Sequence, residues 1–248
     1  MKSARLATLF CTFLFTASLL SAAEVTFFDG DFEDAEWTLV ERHFLSAGTE
    51  IRRFTTGGNP DAYLSIANRG NDRASQTQAF YFKNDALFDP GTQGAISQIN
   101  YAEDSRFITN GGFTNSRIQA FSLGVRQAGL TYFIPNGGDG ITHDGTDWDT
   151  KPLTILDSDE FWLANADGSI DVNSHPDFSV NGDEIQFGFF RANSAGGSPS
   201  YVIESAIDNW SVAVQTTAVP EPSSIAVISS VVATCVLRRR KRAKRFAP

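Results

Sequence analysis

Apolar and polar positions divide the chain into three stretches of different rhythm. Residues 6–20 form one continuous apolar run behind Lys2 and Arg5, closed by Ser21, Ala22 and Ala23. Residues 225–237 form a second apolar run, closed by Arg238, Arg239, Arg240, Lys241 and Arg242. Between them the pattern is short. Runs rich in Phe, Ile, Val and Tyr alternate with Gly, Asn, Asp and Ser, and no long helical period occurs. Ile185, Phe187 and Phe189 alternate strictly with Gln186 and Gly188, while Ile118, Ala120, Phe121, Leu123 and Val125 nearly alternate. The spacing predicts strands at residues 37–45, 62–67, 79–83, 95–101, 117–126, 130–134, 184–191 and 201–214. Residues 194–200 read by composition as a hairpin loop. Eight or more strands without a repeat predict an all-β, jelly-roll-like β-sandwich rather than a propeller.

The two apolar runs are topogenic. The first has a basic start, a short apolar centre and small residues before Glu24, so residues 1–23 read as a secretory signal peptide. The second follows Pro220 and Pro222, which block helix and sheet continuation and make an extended linker. Counted from Pro222 it gives about 24 Å of helix, short of the ~30 Å hydrocarbon core, a gap that arginine snorkelling and local thinning close. A transmembrane span over residues 223–237 followed by a basic stop-transfer cluster over 238–245 holds the C-terminus inside. A buried core helix would rarely end with so many cations.

Pro220-Glu221-Pro222, a short apolar span and an arginine cluster, in that order at the C-terminal end, resemble the PEP-CTERM sorting signal. The resemblance covers residues 218–243. It implies an exported substrate of an exosortase, anchored transiently in the inner membrane, cut near the Pro-Glu-Pro element and passed to the cell surface or an exopolysaccharide matrix.

Setting these ends aside changes the composition. The remaining body, residues 24–217, holds 11 Lys and Arg against 28 Asp and Glu, a net charge of −17. That argues against nucleic acid or anionic lipid as partners. Both cysteines, Cys11 and Cys235, lie in the ends. The body therefore has no disulfide, thiol nucleophile or thiolate metal site. It must be held by its core, by ions, or by both, and its length is that of one domain.

Asp29-Gly30-Asp31-Phe32-Glu33 with Trp37 opens the body, and Ala206-Ile207-Asp208-Asn209-Trp210 closes it. This pair resembles the terminal strands of carbohydrate-binding jelly-roll modules of the galactose-binding-like and family 4/9 types; laminin G and concanavalin A-like sandwiches are rivals. The resemblance implies a structural calcium between the terminal strands, with Asp29, Asp31, Glu33 and Asp208 as ligands. The alternative is that Asp29 and Asp31 make turn hydrogen bonds and Asp208 ends a strand.

Sugars stack on exposed aromatic rings while carboxylates and amides bond their hydroxyls. Trp148, in an acidic loop, with Tyr132 and Trp162 at strand ends, is the aromatic platform the sequence offers; Trp37 and Trp210 read as core. The acidic stretches at 139–149, 157–160 and 167–173 fit no EF-hand spacing. No catalytic constellation appears: His43, His143 and His175 stand apart, and no Glu-x-Asp-x-x-Glu strand supplies paired carboxylates. The sequence thus reads as a non-catalytic surface or matrix protein that binds exopolysaccharide, alternatively as a structural or adhesive surface protein without sugar specificity, and third as a polysaccharide-acting enzyme. Replacing Pro220, Glu221 and Pro222 with alanines should leave an uncleaved, membrane-retained chain. Cell fractionation checks this, and normal release of that variant would remove the sorting signal.

Overall fold

A computed structural model describes residues 23–44, 47–71, 74–109, 118–135, 141–142, 147–194 and 200–217. The signal segment and the sorting tail, including Pro220, Glu221, Pro222 and the basic cluster from Arg238, lie outside the described residues. Among those described, no helix is long and apolar enough to cross a membrane.

The strands in chain order are β1 (Glu24–Asp29), β2 (Trp37–Phe44), β3 (Ala47–Phe54), β4 (Tyr63–Gly70), β5 (Gln76–Phe88), β6 (Ile96–Thr109) and β7 (Ile118–Gln127). They continue as β8 (Leu130–Phe133), β9 (Ile141–Thr142), β10 (Asp149–Ile155), β11 (Trp162–Ala164), β12 (Ile170–Asp171), β13 (Ile185–Ser194) and β14 (Tyr201–Thr216). They build an all-β sandwich of two antiparallel sheets. The first runs β10-β6-β14-β4-β3, with β1 also on β14. The second runs β12-β11-β8-β7-β13-β5-β2, with β9 also on β7.

Each of the eight predicted strands has a counterpart. The strands on either side of the expected hairpin do not pair with each other, however: β13 pairs with β5 and β7 in the second sheet, whereas β14 pairs with β4, β6 and β1 in the first; residues 195–199 lie outside the described residues.

β14 explains how the first sheet is assembled. Its inward side chains are Ile203 and Ile207, then Trp210, Val212 and Val214, all buried. An unbroken strand cannot bury both Ile207 and Trp210, three apart, because successive side chains alternate faces. A β-bulge resolves this. Register with β6 shifts between Asp208 and Ser211, and Asn209 takes φ 48°. The extra residue restores inward parity and turns Asp208 and Asn209 outward together. Past the bulge, β14 exchanges β4 for β1 as its neighbour on one side, from Trp210↔Asp29 to Gln215↔Glu24. Both ends of the body therefore leave side by side, and the Ala23 carbonyl accepts from Thr216 N at 3.0 Å.

The inner faces meet in one aromatic-rich core. Trp37 packs edge-on to Trp210 at 5.1 Å and stacks on Tyr81 at 5.2 Å and Phe32 at 5.5 Å. Both tryptophans are buried, as the sequence indicated. Close contact within the second sheet depends on Gly188, opposite Phe82: a Cβ there would sit 2.1 Å from the Tyr81 carbonyl oxygen.

This core also encloses charge. Arg191 on β13 reaches across the sandwich to Glu103 on β6, Nη2 to Oε1 2.6 Å, with both side chains wholly buried. Tyr101 and Ser105 hydroxyls donate to the same carboxylate. The guanidinium lies over the rings of Phe189 at 5.2 Å and Phe121 at 5.9 Å. Arg191→Met should cost about 3–5 kcal/mol, because it strands Glu103 as an unpaired buried charge. Adding Glu103→Leu should recover much of that loss. Urea titration of the body checks both, and an additive double variant would refute the coupling.

Candidate functional site

The outward-facing sides of the two sheets differ, and the chemistry lies on the first. β4 and β6 flank β14 there and β3 lies beyond β4, and outward positions bring Phe54, Tyr63 and Arg106 together. Phe54 stacks on Tyr63 at 4.8 Å and 8°. Trp148, immediately before β10, meets Tyr63 edge-on at 5.7 Å. The Arg106 guanidinium is held between two rings, 5.1 Å from Tyr63 and 4.7 Å from Trp148. Its Nε is buried and has no hydrogen-bond partner among the described residues. Phe54 remains exposed, while Trp148 and Arg106 are half-buried.

The β14 bulge supplies the polar half. Asp208 stands opposite Asp104 of β6. Asp104 accepts from Asn59 Nδ2 at 3.1 Å, Asn209 Nδ2 at 2.8 Å and Thr150 Oγ1 at 2.6 Å. The Asn59 backbone N–H donates to Asp208, and the Asn209 side chain donates to the Asn59 carbonyl. The β3–β4 loop is thereby tied down over the carboxylates. Burial raises the Asp208 carboxyl above its ordinary 3.8, and the charges of Asp104 and Asp31 add to this against hydrogen bonds from Asn59 and Asn209. Asn59 and Thr150 stay exposed on this face, whereas Asp149, opposite Ser105, falls on the other face of β10 and pairs with Lys151. The result is a strip of aromatic surface bordered by amide, hydroxyl and carboxylate groups.

The sequence-derived platform is distributed differently. Trp148 lies in this strip. Tyr132 is buried in the core, and Trp162, on β11 of the other sheet, packs against the second apolar cluster on that sheet's outward face. Tyr132 pairs with Leu163 and Phe133 with Trp162, so the two side chains fall on opposite faces. Phe54, Tyr63 and Arg106 were missed. The signal available was the facing pair of aromatic strand ends at 54 and 63.

The four proposed calcium ligands are also divided. Asp29 accepts from Asp31 N and Phe32 N, both at 2.8 Å, from Trp37 Nε1 at 2.8 Å and from Lys83 Nζ at 2.9 Å. Glu33 pairs with Arg53 at 2.7 Å. Asp31 comes near enough to Asp208 to influence it. Asp208 does not end a strand; it sits inside β14. Among the described residues no three His, Cys, Asp or Glu side chains are grouped to hold a metal ion. Asp167 closes a turn onto Ser169, and Glu160 accepts from Leu156 N and Asp157 N, so these acidic stretches organise loops. His175 contacts the Phe161 carbonyl at 2.7 Å; His143 lies outside the described residues.

No family model matches the chain, and no curated protein sequence matches it. Among solved structures it is similar to a Family 11 carbohydrate-binding module from Clostridium thermocellum, solved with a β-1,3-1,4-mixed-linked tetrasaccharide. That match has 11% identity and TM-score 0.44 and covers 79% of this chain and 98% of that one. It is also similar to the CBM22-1 xylan-binding domain of Paenibacillus barcinonensis Xyn10C, at 8% identity and TM-score 0.43 over 80% and 99%. A mannan-recognising module, TmCBM27, gives 9% identity and TM-score 0.36 over 79% and 100%.

The Asp29 network has a pH signature. Burial alone would raise the Asp29 carboxyl; hydrogen bonds from Phe32 N–H, Lys83, Trp37 and Asp31 N–H outweigh it and hold the group below 3.8. A depressed folded value contributes stability above the unfolded value and loses it as pH falls through the folded one. Asp29→Asn should therefore cost about 2–4 kcal/mol at pH 7, and the two proteins should converge as pH falls below about 4. Thermal melts across that range check the sign; a gap that widens on acidification would contradict it.

Proposed function

We propose that this protein is an exported, non-catalytic glycan-binding protein, a jelly-roll-type sandwich that attaches to exopolysaccharide at the cell surface or in its matrix. The observation that carries this reading is the strip formed by Phe54, Tyr63, Arg106 and Trp148 beside Asn59 and Thr150. Aromatic rings with hydroxyl-bonding groups at their margin suit the apolar faces and polar edges of sugars. The solved modules resemble the body too distantly to bear on what it binds. Export rests on the signal segment, and delivery on the PEP-CTERM-like tail and an exosortase.

Two outward carboxylates that face each other across β14 and β6, Asp104 and Asp208, argue for binding over hydrolysis. Both are engaged by protein donors under the β3–β4 loop, which leaves neither open to a glycosidic oxygen. A glycosidase needs its pair accessible on either side of the scissile bond.

Residues 24–217 contain all the described strands and lie within one compact unit, residues 22–219, so the body is a suitable reagent. It should be retained on at least one neutral polysaccharide of a panel that includes the host matrix. Trp148→Ala should weaken retention about tenfold or more, the scale of losing one stacked ring. Unchanged unfolding would show the fold is intact. Retention unaffected by Trp148→Ala would place binding elsewhere, and no retention on any glycan would leave an adhesive protein.

A further inference from the structure

The second sheet has an outward face of its own. Phe80, Phe82, Phe133, Phe190 and Ala164 form a separate apolar cluster there, with Val40 and Trp162 beside it. Strands at the two ends of the sheet order meet over it: Arg42 Nε of β2 donates to the Ala164 carbonyl of β11 at 3.2 Å. Gln78 Nε2 of β5 donates to the Gly168 carbonyl at 3.2 Å. The sheet is curled, and the β11–β12 turn is fastened across it.

Two arginines converge at this closure. Arg42 lies over the Phe80 ring at 5.7 Å and is fixed to Ala164. Arg126 stands opposite Thr131, and Thr131 stands opposite Ala164, so all three share one row of the same face. The guanidiniums are near enough that burial first, and then the charge of Arg126, lower the Arg42 pKa. Neither makes an ion pair among the described residues. Arg52, Arg53, Arg69, Lys83, Lys151 and Arg191 all do; Arg106 on the other sheet also makes none and is held between two rings instead. Arg42 is half-buried and feels the charge of Arg126, so a carboxylate placed beside both would offset its lost hydration and their mutual repulsion. A second feature points the same way. Gln78, opposite Arg42, is 93% buried, yet its Oε1 has no donor among the described residues. Its amide cannot simply flip, because Nε2 is committed to Gly168.

We propose that Arg42 and Arg126 form a second binding site, for a carboxylate-bearing polysaccharide of the uronic acid type. Guanidinium and carboxylate match as planar, bidentate partners. A hydroxyl of the same sugar entering beside Arg42 supplies the donor that Gln78 Oε1 lacks. The acidity of the rest of the body does not forbid this, since charges beyond about 8–10 Å are screened at physiological salt. The site lies on the opposite sheet from the Trp148 strip and does not depend on it.

Binding of residues 24–217 to polygalacturonate and to its fully methyl-esterified form, by calorimetry at physiological salt, is the test. The acid form should bind and the ester should not. Arg126→Gln, at an exposed position, should weaken binding about tenfold or more, and Arg126→Glu should abolish it, with unfolding unchanged. Trp148→Ala should leave polygalacturonate binding intact, and the Arg126 variants should leave neutral-glycan retention intact, so each site can fail alone. Absence of polygalacturonate binding, equal binding of the ester, or wild-type affinity in Arg126→Gln would overturn the proposal.

Discussion

The ion pair between Arg191 and Glu103 is the constraint on which the sandwich turns. Two wholly buried charges cannot be separated in an apolar interior, so β13 and β6 are fixed opposite one another across the layers. Most apolar contacts in a sandwich tolerate sliding by a residue pair, because Phe, Ile and Val packing is non-directional. A guanidinium with one carboxylate, one phenol and one serine hydroxyl around that carboxylate has a single arrangement. Burial, together with Glu103, pushes the Tyr101 phenol well above its ordinary range, so it remains a donor to this network at any physiological pH. A body without disulfides thereby gains a specific register between its sheets.

From that register the outward faces follow. β6 carries Glu103 inward and Asp104 and Arg106 outward, since its side chains alternate. Fixing Glu103 against Arg191 therefore sets where Arg106 meets Tyr63 and Trp148. The β14 bulge adds what alternation alone could not, two adjacent outward polar residues, Asp208 and Asn209, beside Asp104. On the other sheet β13 places Arg191 inward and Phe190 outward, which puts the second apolar cluster under Arg42. The buried Arg191–Glu103 contact positions both surfaces.

Much of the fold was legible because its central strands alternate clearly. The three longer strands that composition hid were β1, β3 and β10. The last two are the edges of the first sheet, and edge strands are disguised by the features that stop them from pairing further. β3 carries Glu50, Arg52 and Arg53, and β10 carries Lys151 and Pro152. The bulge could have been read from the parity break between Ile207 and Trp210. The aromatic platform could not be read in full: Trp148 was found as an aromatic among acids, but Tyr63 and Phe54 meet it only through cross-strand register. Tyr132 and Trp162 were grouped by nearness to strand ends, when the period of two sends them to opposite faces. Asp29 looked like a cation ligand, since nothing local shows that Lys83, 54 residues away, would occupy it.

The position of β14 has a mechanical consequence. It is the longest strand and is bonded on both sides, to β6 along one edge and to β4 and then β1 along the other. Antiparallel hydrogen bonds lie across the strand direction. Tension entering the body from its C-terminal end pulls β14 along its own axis, so these bonds bear the load in shear, many at once, instead of opening one by one as in peeling an edge. A body pulled from that end resists force through its central strand, and the grip is made by the chain's first and last strands lying together.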